Sequence, residues 1–405
     1  MAKSLSSLWL RSVRNLTKNQ RAQRRLLKTL LPKAVRAPAA RKTKSVKPKT
    51  VKPKTVKTGN TASPAFAVVP KAKARPVPAP APKPAPALPG SWKLAYFSAT
   101  GPHLASSGKR MLYWLYLPSA ASAAAAPLPL VVMLHGCQQT APDFATATRM
   151  NQLAERKGFA VLYPQQSAVR DTHRCWHWYQ RTIQQGQGDV RVIADMIRQV
   201  QQRHGLNASR TYVAGLSAGA GLASILALRH PELIAAVGLH SAPVFGAADS
   251  VLSAYRVMQR GGRRGYLEAA GERGSALAIA MPPLKGLPAI IIHGDRDSVV
   301  RRVNAAQLGQ QLQIVNAAVI SDAAPVRRSF AARAAGRSPR HAYVTTTHGS
   351  GAAGRKPQLV QVEISALGHA WSGGDDSMSF TARAGPNASL MMWEFFARHR
   401  RGTVT

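Results

Sequence analysis

The chain has 405 residues, 45% hydrophobic and 18% charged, with 56 Lys and Arg against 16 Asp and Glu for a net charge of +40. That is enough apolar material for one large core or two average ones, and with no run of 18 apolar residues a transmembrane helix is not expected. Residues 1–90 hold 22 of the basic residues and no acid, so this segment carries 22 of the 40 charges and residues 91–405 a net +18.

From Ser4 to about Leu31, leucines alternate with Arg and Lys in the manner of a basic amphipathic helix suited to an anionic surface. Within it, "SLSSLWL" is a very short apolar run with Arg11 and Arg14 close behind, a poor signal peptide. A tandem VKPKT repeat and the proline-alternating "RPVPAPAPKPAPALPG" follow. Such composition cannot bury a core and predicts an extended, solvated segment. It reads as an electrostatic tether to an anionic polymer, membrane or nucleic acid, or as a plain spacer. Without interleaved aromatics or a base-reading module, sequence-specific nucleic-acid binding is not expected.

The folded part is expected to begin near Trp92, giving two regions, 1–90 and 91–405. "KRMLYWLYLP" (109–118) alternates like a strand, and "LPLVVMLHG" (128–136) reads as a central parallel strand ending in a loop. A helix is expected over 143–157, a strand at "FAVLYP" (159–164), and a helix over 189–204. The strand "TYVAGL" and an Ala- and Leu-rich helix to His230 come next. Further strands are expected in "LIAAVGLHS", "LPAIIIHG" and "QLVQVEISALG", with a last helix over 389–400. This alternation predicts an α/β fold with a mostly parallel sheet covered on both faces. Residues 248–284 read as mixed helix and loop, a candidate cap, and 321–356, rich in Arg, Ala and Gly, as an insertion.

"GLSAG" places Ser217 between Gly215 and Gly219 at a strand-to-helix junction. A serine hydroxyl is a weak nucleophile that needs a base. A sharp turn of this kind lifts its oxygen above the sheet, with glycines allowing the tight backbone. The base should be a histidine further along, preceded by an acid. His369, in the glycine-rich "LGHAWSGG", is the best placed. His341 and His348 lie in the weakly patterned insertion, His240 and His293 at strand ends, and His230 before a proline at a helix end. "HGDRDSVV" offers Asp295 and Asp297 at the carboxyl edge of the sheet. Its H-G-x-x-D-x-x-V spacing resembles one found in α/β-hydrolases, a resemblance that implies Asp297 as the acid and leaves Asp295 to hold the turn.

Donors for an oxyanion are expected from the backbone N–H of Ala218 and from the loop "LHGCQQT", where Cys137 is the candidate and Gln138 the alternative. "CWHWYQ" (175–180) reads either as a core plug or as an apolar wall for substrate. On the second reading Gln138, Trp176, Trp178 and Trp371 are the substrate-binding candidates. Spacing alone is as compatible with two separate thiols at Cys137 and Cys175 as with one disulfide, which fits an oxidising compartment. As the chain's two cysteines, both flanking the expected site, they motivate the bridge as a prediction.

With the elbow, "LHGCQQ", "CWHWY", "GLHSAPVFGAA" and "GHAWSGG…GPNAS…FF" in view, the chain from about 93 to 400 resembles the polyhydroxybutyrate depolymerase family of esterases, relatives of the feruloyl and acetylxylan esterases. The resemblance implies an α/β-hydrolase fold and a carboxylic-ester hydrolase with Ser217, Asp297 and His369 as its triad. It implies no metal or organic cofactor, hydroxyalkanoate oligomers or short acyl or aryl esters as substrates, and a Cys137–Cys175 bridge. "CWHWY" departs from the family's more usual Cys-Trp-Asn-Trp, a change that bears on specificity. With no polymer-binding domain after the last helix, crystalline polymer is not the expected substrate. Family precedent points to an extracellular location, and the missing leader to a cytoplasmic or granule-associated one. The other reading is a tethering protein whose basic tail coats an anionic surface, with hydrolysis secondary.

Overall fold

In the computed structural model, residues 88–98, 110–123, 126–263, 286–320, 324–334, 339–349 and 356–402 are described. The expected basic helix, the VKPKT repeat, all but the last three residues of the proline-rich segment and most of the candidate cap lie outside them. None of the helices described is long and apolar enough to cross a membrane.

The strands are β1 (Ser91–Ser98), β2 (Arg110–Leu117), β3 (Leu130–Leu134), β4 (Ala160–Gln165) and β5 (Thr211–Leu216), followed by β6 (Ala236–His240), β7 (Ala289–Gly294), β8 (Val326–Phe330), β9 (Tyr343–His348) and β10 (Leu359–Ile364). They form one sheet in the order β1-β2-β4-β3-β5-β6-β7-β10-β9-β8. The middle run from β4 to β10 is parallel, and antiparallel pairs close both edges. Every residue of β3, β5, β6 and β7 is buried. That is why these strands read as unbroken apolar runs and not as alternations.

Helices connect the parallel strands, α1 (Ala141–Thr148), α2 (Met150–Lys157), α3 (Asp189–His204), α4 (Ala218–Arg229), α5 (Val251–Arg260) and α6 (Val303–Val315), and α7 (Ala388–Phe396) follows the last strand. This architecture is the α/β-hydrolase fold the sequence leads one to expect. In α3 the buried positions Val190, Ile193, Ala194, Ile197, Val200 and Gln201 recur at three- and four-residue spacing, with Arg203 and His204 in the last turn and left-handed Gly205 at the C-cap.

Several elements differ from expectation. The helix expected over 143–157 is two, broken at Arg149, which adopts a left-handed φ of 53°. The cause is tertiary. The carbonyl of Ala147 accepts from the Asp375 N–H at 2.9 Å, and that of Thr148 from the Ser389 hydroxyl at 2.6 Å. The expected insertion supplies β8 and β9, which extend the sheet beyond β10. Finally, β1 and α6 have no counterpart among the elements expected from sequence.

Candidate active site

The candidate residues come from the carboxyl ends of neighbouring parallel strands. Cys137 follows β3, Ser217 follows β5, Asp297 follows β7 and His369 follows β10. The register keeps these ends level, since Leu134 pairs with Gly215, Leu216 with His240, His240 with Ile292, and Gly294 with Ile364. One rim of the sheet therefore collects them, where open α/β sheets carry their sites.

Ser217 has φ 57° and ψ −120°, a conformation side-chain-bearing residues rarely adopt. Two features hold it there. Its N–H donates to the His240 carbonyl at 3.0 Å, and its carbonyl accepts from the Gly221 N–H at 3.0 Å. Neighbouring backbones leave no room for a larger residue on either side. A Cβ at Gly219 would stand 2.1 Å from the Leu134 carbonyl oxygen, and one at Gly215 2.4 Å from the Gly219 carbonyl carbon. Gly219 thus serves the close crossing of α4 over β3, and Gly215 that of α4 over β5. Ser217 is 5% exposed.

His369 Nδ1 lies 2.8 Å from Asp297 Oδ2, and both side chains are buried. The other carboxylate oxygen of Asp297 accepts the N–H groups of Val299 and Val300, each at 2.9 Å. Burial pushes the Asp297 carboxyl up, but the facing His369 ring, its hydrogen bond and nearby His293 more than offset this and hold it below the usual carboxylate range. Asp295 is spent elsewhere. Its Oδ1 accepts the Ala366 N–H at 2.7 Å, tying the β7 loop to the segment that carries His369.

Two histidines at strand ends brace the rim. His240 is fully buried, stacks on Trp371 at 5.1 Å, and accepts the Ser372 N–H on Nε2 at 3.3 Å. Since its carbonyl holds the Ser217 N–H, this residue joins the elbow to the His369 segment. Burial, helped by the charges of His293 and His369, pushes its pKa down to about 3, so the ring is neutral. His135 accepts the Gln166 N–H on Nε2 at 3.1 Å, and burial pushes its pKa down to about 4.

Cys137 and Cys175 form a disulfide. It fastens the loop after β3 to the 171–178 segment, alongside the Gln138 N–H bond to the His173 carbonyl at 2.6 Å and the Trp176 indole bond to the His135 carbonyl at 3.0 Å. The Gly136 N–H is taken by Gln139 Oε1 at 2.9 Å. Among the described residues, the Cys137 N–H meets no acceptor. Ala218 opens α4, so its N–H has no intrahelical partner either. Gln138, the alternative donor, is corrected: its N–H is already committed to His173.

The substrate wall expected of the tryptophans also needs correction. Trp176 and Trp371 are fully buried, and each indole N–H is used internally, that of Trp371 by Ser389 Oγ at 3.1 Å. Trp178, 5% exposed, lies over Gly221 of α4, where an added Cβ would come 3.0 Å from its ring. Large rings with a polar tip are buried where that tip finds a partner, and for Trp176 and Trp371 the partners belong to the scaffold.

Sequence reasoning missed the bracing role of His240, which depends on β6 lying between β5 and β7. It also missed the clamp in which Asp171 Oδ2 meets His177 Nε2 at 2.9 Å while Oδ1 accepts the His173 N–H at 2.8 Å and the Cys175 N–H at 3.2 Å. The short Asp-to-His spacing was the available signal. The hydrogen bond to Asp171 is the largest influence raising the pKa of His177.

An open, mostly parallel sheet with antiparallel strands at both edges, a strained serine turn and a buried Asp–His pair on one rim defines the chain as an α/β-hydrolase. Comparison with known proteins takes this further: the family described as "Esterase PHB depolymerase" matches residues 111–337, more than half the chain, and the chain belongs to that family. It is 35% identical to poly(3-hydroxyalkanoate) depolymerase C of Paucimonas lemoignei over 134 residues, 33% of this chain and 32% of that protein. Probable acetylxylan esterase A of Aspergillus fumigatus is 34% identical over 132 residues, 32% and 34% of the two chains. Feruloyl esterase B of Thermothelomyces thermophilus is 30% identical over 128 residues, 31% and 43% of the two. These matches span a third to less than half of the relatives' own length. Among solved structures, the acetyl xylan esterase from Aspergillus awamori superposes with a TM-score of 0.53 at 21% identity, covering 75% of this chain and 99% of that one, a likeness of fold.

Proposed function

We propose that residues 91–405 form a serine carboxylic-ester hydrolase and that residues 1–90 are a separate basic segment. In this reading Ser217 Oγ attacks the ester carbonyl carbon while its proton passes to His369 Nε2. Asp297 holds Nδ1 and stabilises the imidazolium. The oxyanion is held by the N–H groups of Ala218 and Cys137. Collapse expels the alcohol, which takes the proton from His369, and leaves an acyl group on Ser217. Water, giving its proton to His369, then releases the acid and frees the serine. Hydroxyalkanoate oligomers and short acyl or aryl esters are the substrates.

The observation that carries this reading is the 2.8 Å His369–Asp297 contact on the rim where Ser217 is held at positive φ. Family membership supports the same chemistry. The test is pre-steady-state turnover of p-nitrophenyl butyrate. A burst of nitrophenolate is expected, with kcat falling by on the order of 10⁴–10⁶ in Ser217→Ala. Undiminished turnover in that variant would overturn the mechanism.

A further inference from the structure

A concavity opens beside the loop after β3, lined there by Thr140 and Pro142. Its floor is the open face of β1 and β2, where Tyr96 stands opposite Leu112 and Leu94 opposite Trp114. Tyr96 is 56% exposed and Leu94 47%, side by side on a sheet whose middle strands are wholly buried. The cavity encloses about 520 Å³. Because β2 runs antiparallel to β4, with Leu112 against Gln165, the amino end of β2 and the carboxyl end of β4 share an edge. It is the edge that carries Ser217.

Three arginines and no acid line this cavity. Arg110 lies over the Tyr96 ring, 4.8 Å from its centroid. Arg170 is held by Asp189 at 3.1 Å. Arg174 precedes Cys175, its N–H bonded to the Asp171 carbonyl at 2.8 Å, so the disulfide fixes it beside the oxyanion loop. Among the described residues, no carboxylate pairs with Arg110 or Arg174. Guanidinium groups over an apolar, aromatic floor suit a carboxylate borne by an apolar chain, which they bind in a planar, two-pronged fashion.

From Ser217 on β5 to the arginines by β4 and β2 is two to three interstrand spacings, roughly 10–14 Å. A hydroxyalkanoate unit adds four backbone bonds, about 4–5 Å by ordinary covalent dimensions. The gap is therefore two to three units long.

We propose that this cavity is a subsite for the free carboxylate of a short oligoester, read by Arg110 and Arg174 against Tyr96 and Trp114. The reacting bond is that of the ester-hydrolase reading above, on which the substrate class rests. The carboxylate takes no part in bond breaking. It anchors the chain so that an ester two or three units away meets Ser217, and it makes carboxylate-terminated oligomers the preferred substrates over neutral ones of equal length.

The test compares a hydroxybutyrate trimer with its terminal carboxamide, which keeps the ester bonds and removes the charge. The kcat/KM ratio of acid to amide is expected to be about tenfold or more at low salt and to shrink as salt is added. Arg110→Ala and Arg174→Ala should each lower that ratio severalfold, and the double variant should bring it near one. An equal rate for acid and amide in the unaltered protein, or an unchanged ratio in the double variant, overturns the subsite. Calorimetric binding of both trimers to the full-length Ser217→Ala protein separates this from failure of the hydrolase reading. If p-nitrophenyl butyrate is not turned over, the hydrolase reading falls and binding decides alone. Acid bound in preference to amide, with the preference lost in the arginine variants, supports the subsite, and no preference overturns it.

Discussion

Asp297 is the residue at which geometry makes the sharpest demand. Two backbone N–H groups and the His369 ring occupy its carboxylate, so it fixes both the loop and the imidazole tautomer. Asp297→Asn keeps the shape but presents an amide to Nδ1 and favours the wrong tautomer. A loss of about 10⁴ in kcat for p-nitrophenyl butyrate is expected. The same scale governs acid stability. His135 and His240 take up a proton near pH 6.5 when unfolded, but only near pH 4 and pH 3 in the folded chain. Between those limits the unfolded state binds more protons, so stability is lost as pH falls. Asp297, with its folded pKa lowered, adds its loss at the acid end, below its unfolded value. The urea midpoint is expected to drop continuously from pH 7 to pH 4, and a flat midpoint over that range would refute the assignment of both histidines as neutral.

At the scale of elements, the break between α1 and α2 shows where periodicity stops being informative. Met150–Lys157 continues a helical pattern, and nothing local marks Arg149 as a stop. The carbonyls of Ala147 and Thr148 are instead drawn away by Asp375 and Ser389, more than 200 positions further along the chain. Ser389→Ala removes the partner of the Thr148 carbonyl and of the buried Trp371 indole. It should cost about 1–3 kcal/mol in urea unfolding. The hairpin β8–β9 escaped for another reason. Each residue of "VRRSF" is exposed or half-buried, so no face had to be apolar and no alternation was imposed. By contrast, α3 was legible to the residue because its buried stripe, capping glycine and terminal charges all agree.

At the scale of the molecule, the sheet brings level four strand ends separated by up to 230 residues, and residues 91–405 carry a net charge of +18. If residues 91–405 are the catalytic unit, removing residues 1–87 should leave kcat/KM for p-nitrophenyl butyrate unchanged within twofold, as measured by steady-state assay. A loss beyond tenfold would place part of the tail in the working unit.

The amino-acid sequence by itself determined the strands that must be buried and the glycine-flanked serine turn. These follow from local sterics and apolar period, which act over a few residues. Only the tertiary structure decided that Cys137 meets Cys175, that His240 braces the elbow, that the tryptophans serve the core, and that three arginines surround one cavity. Each depends on which strands become neighbours, and that order is settled by packing across the whole sheet.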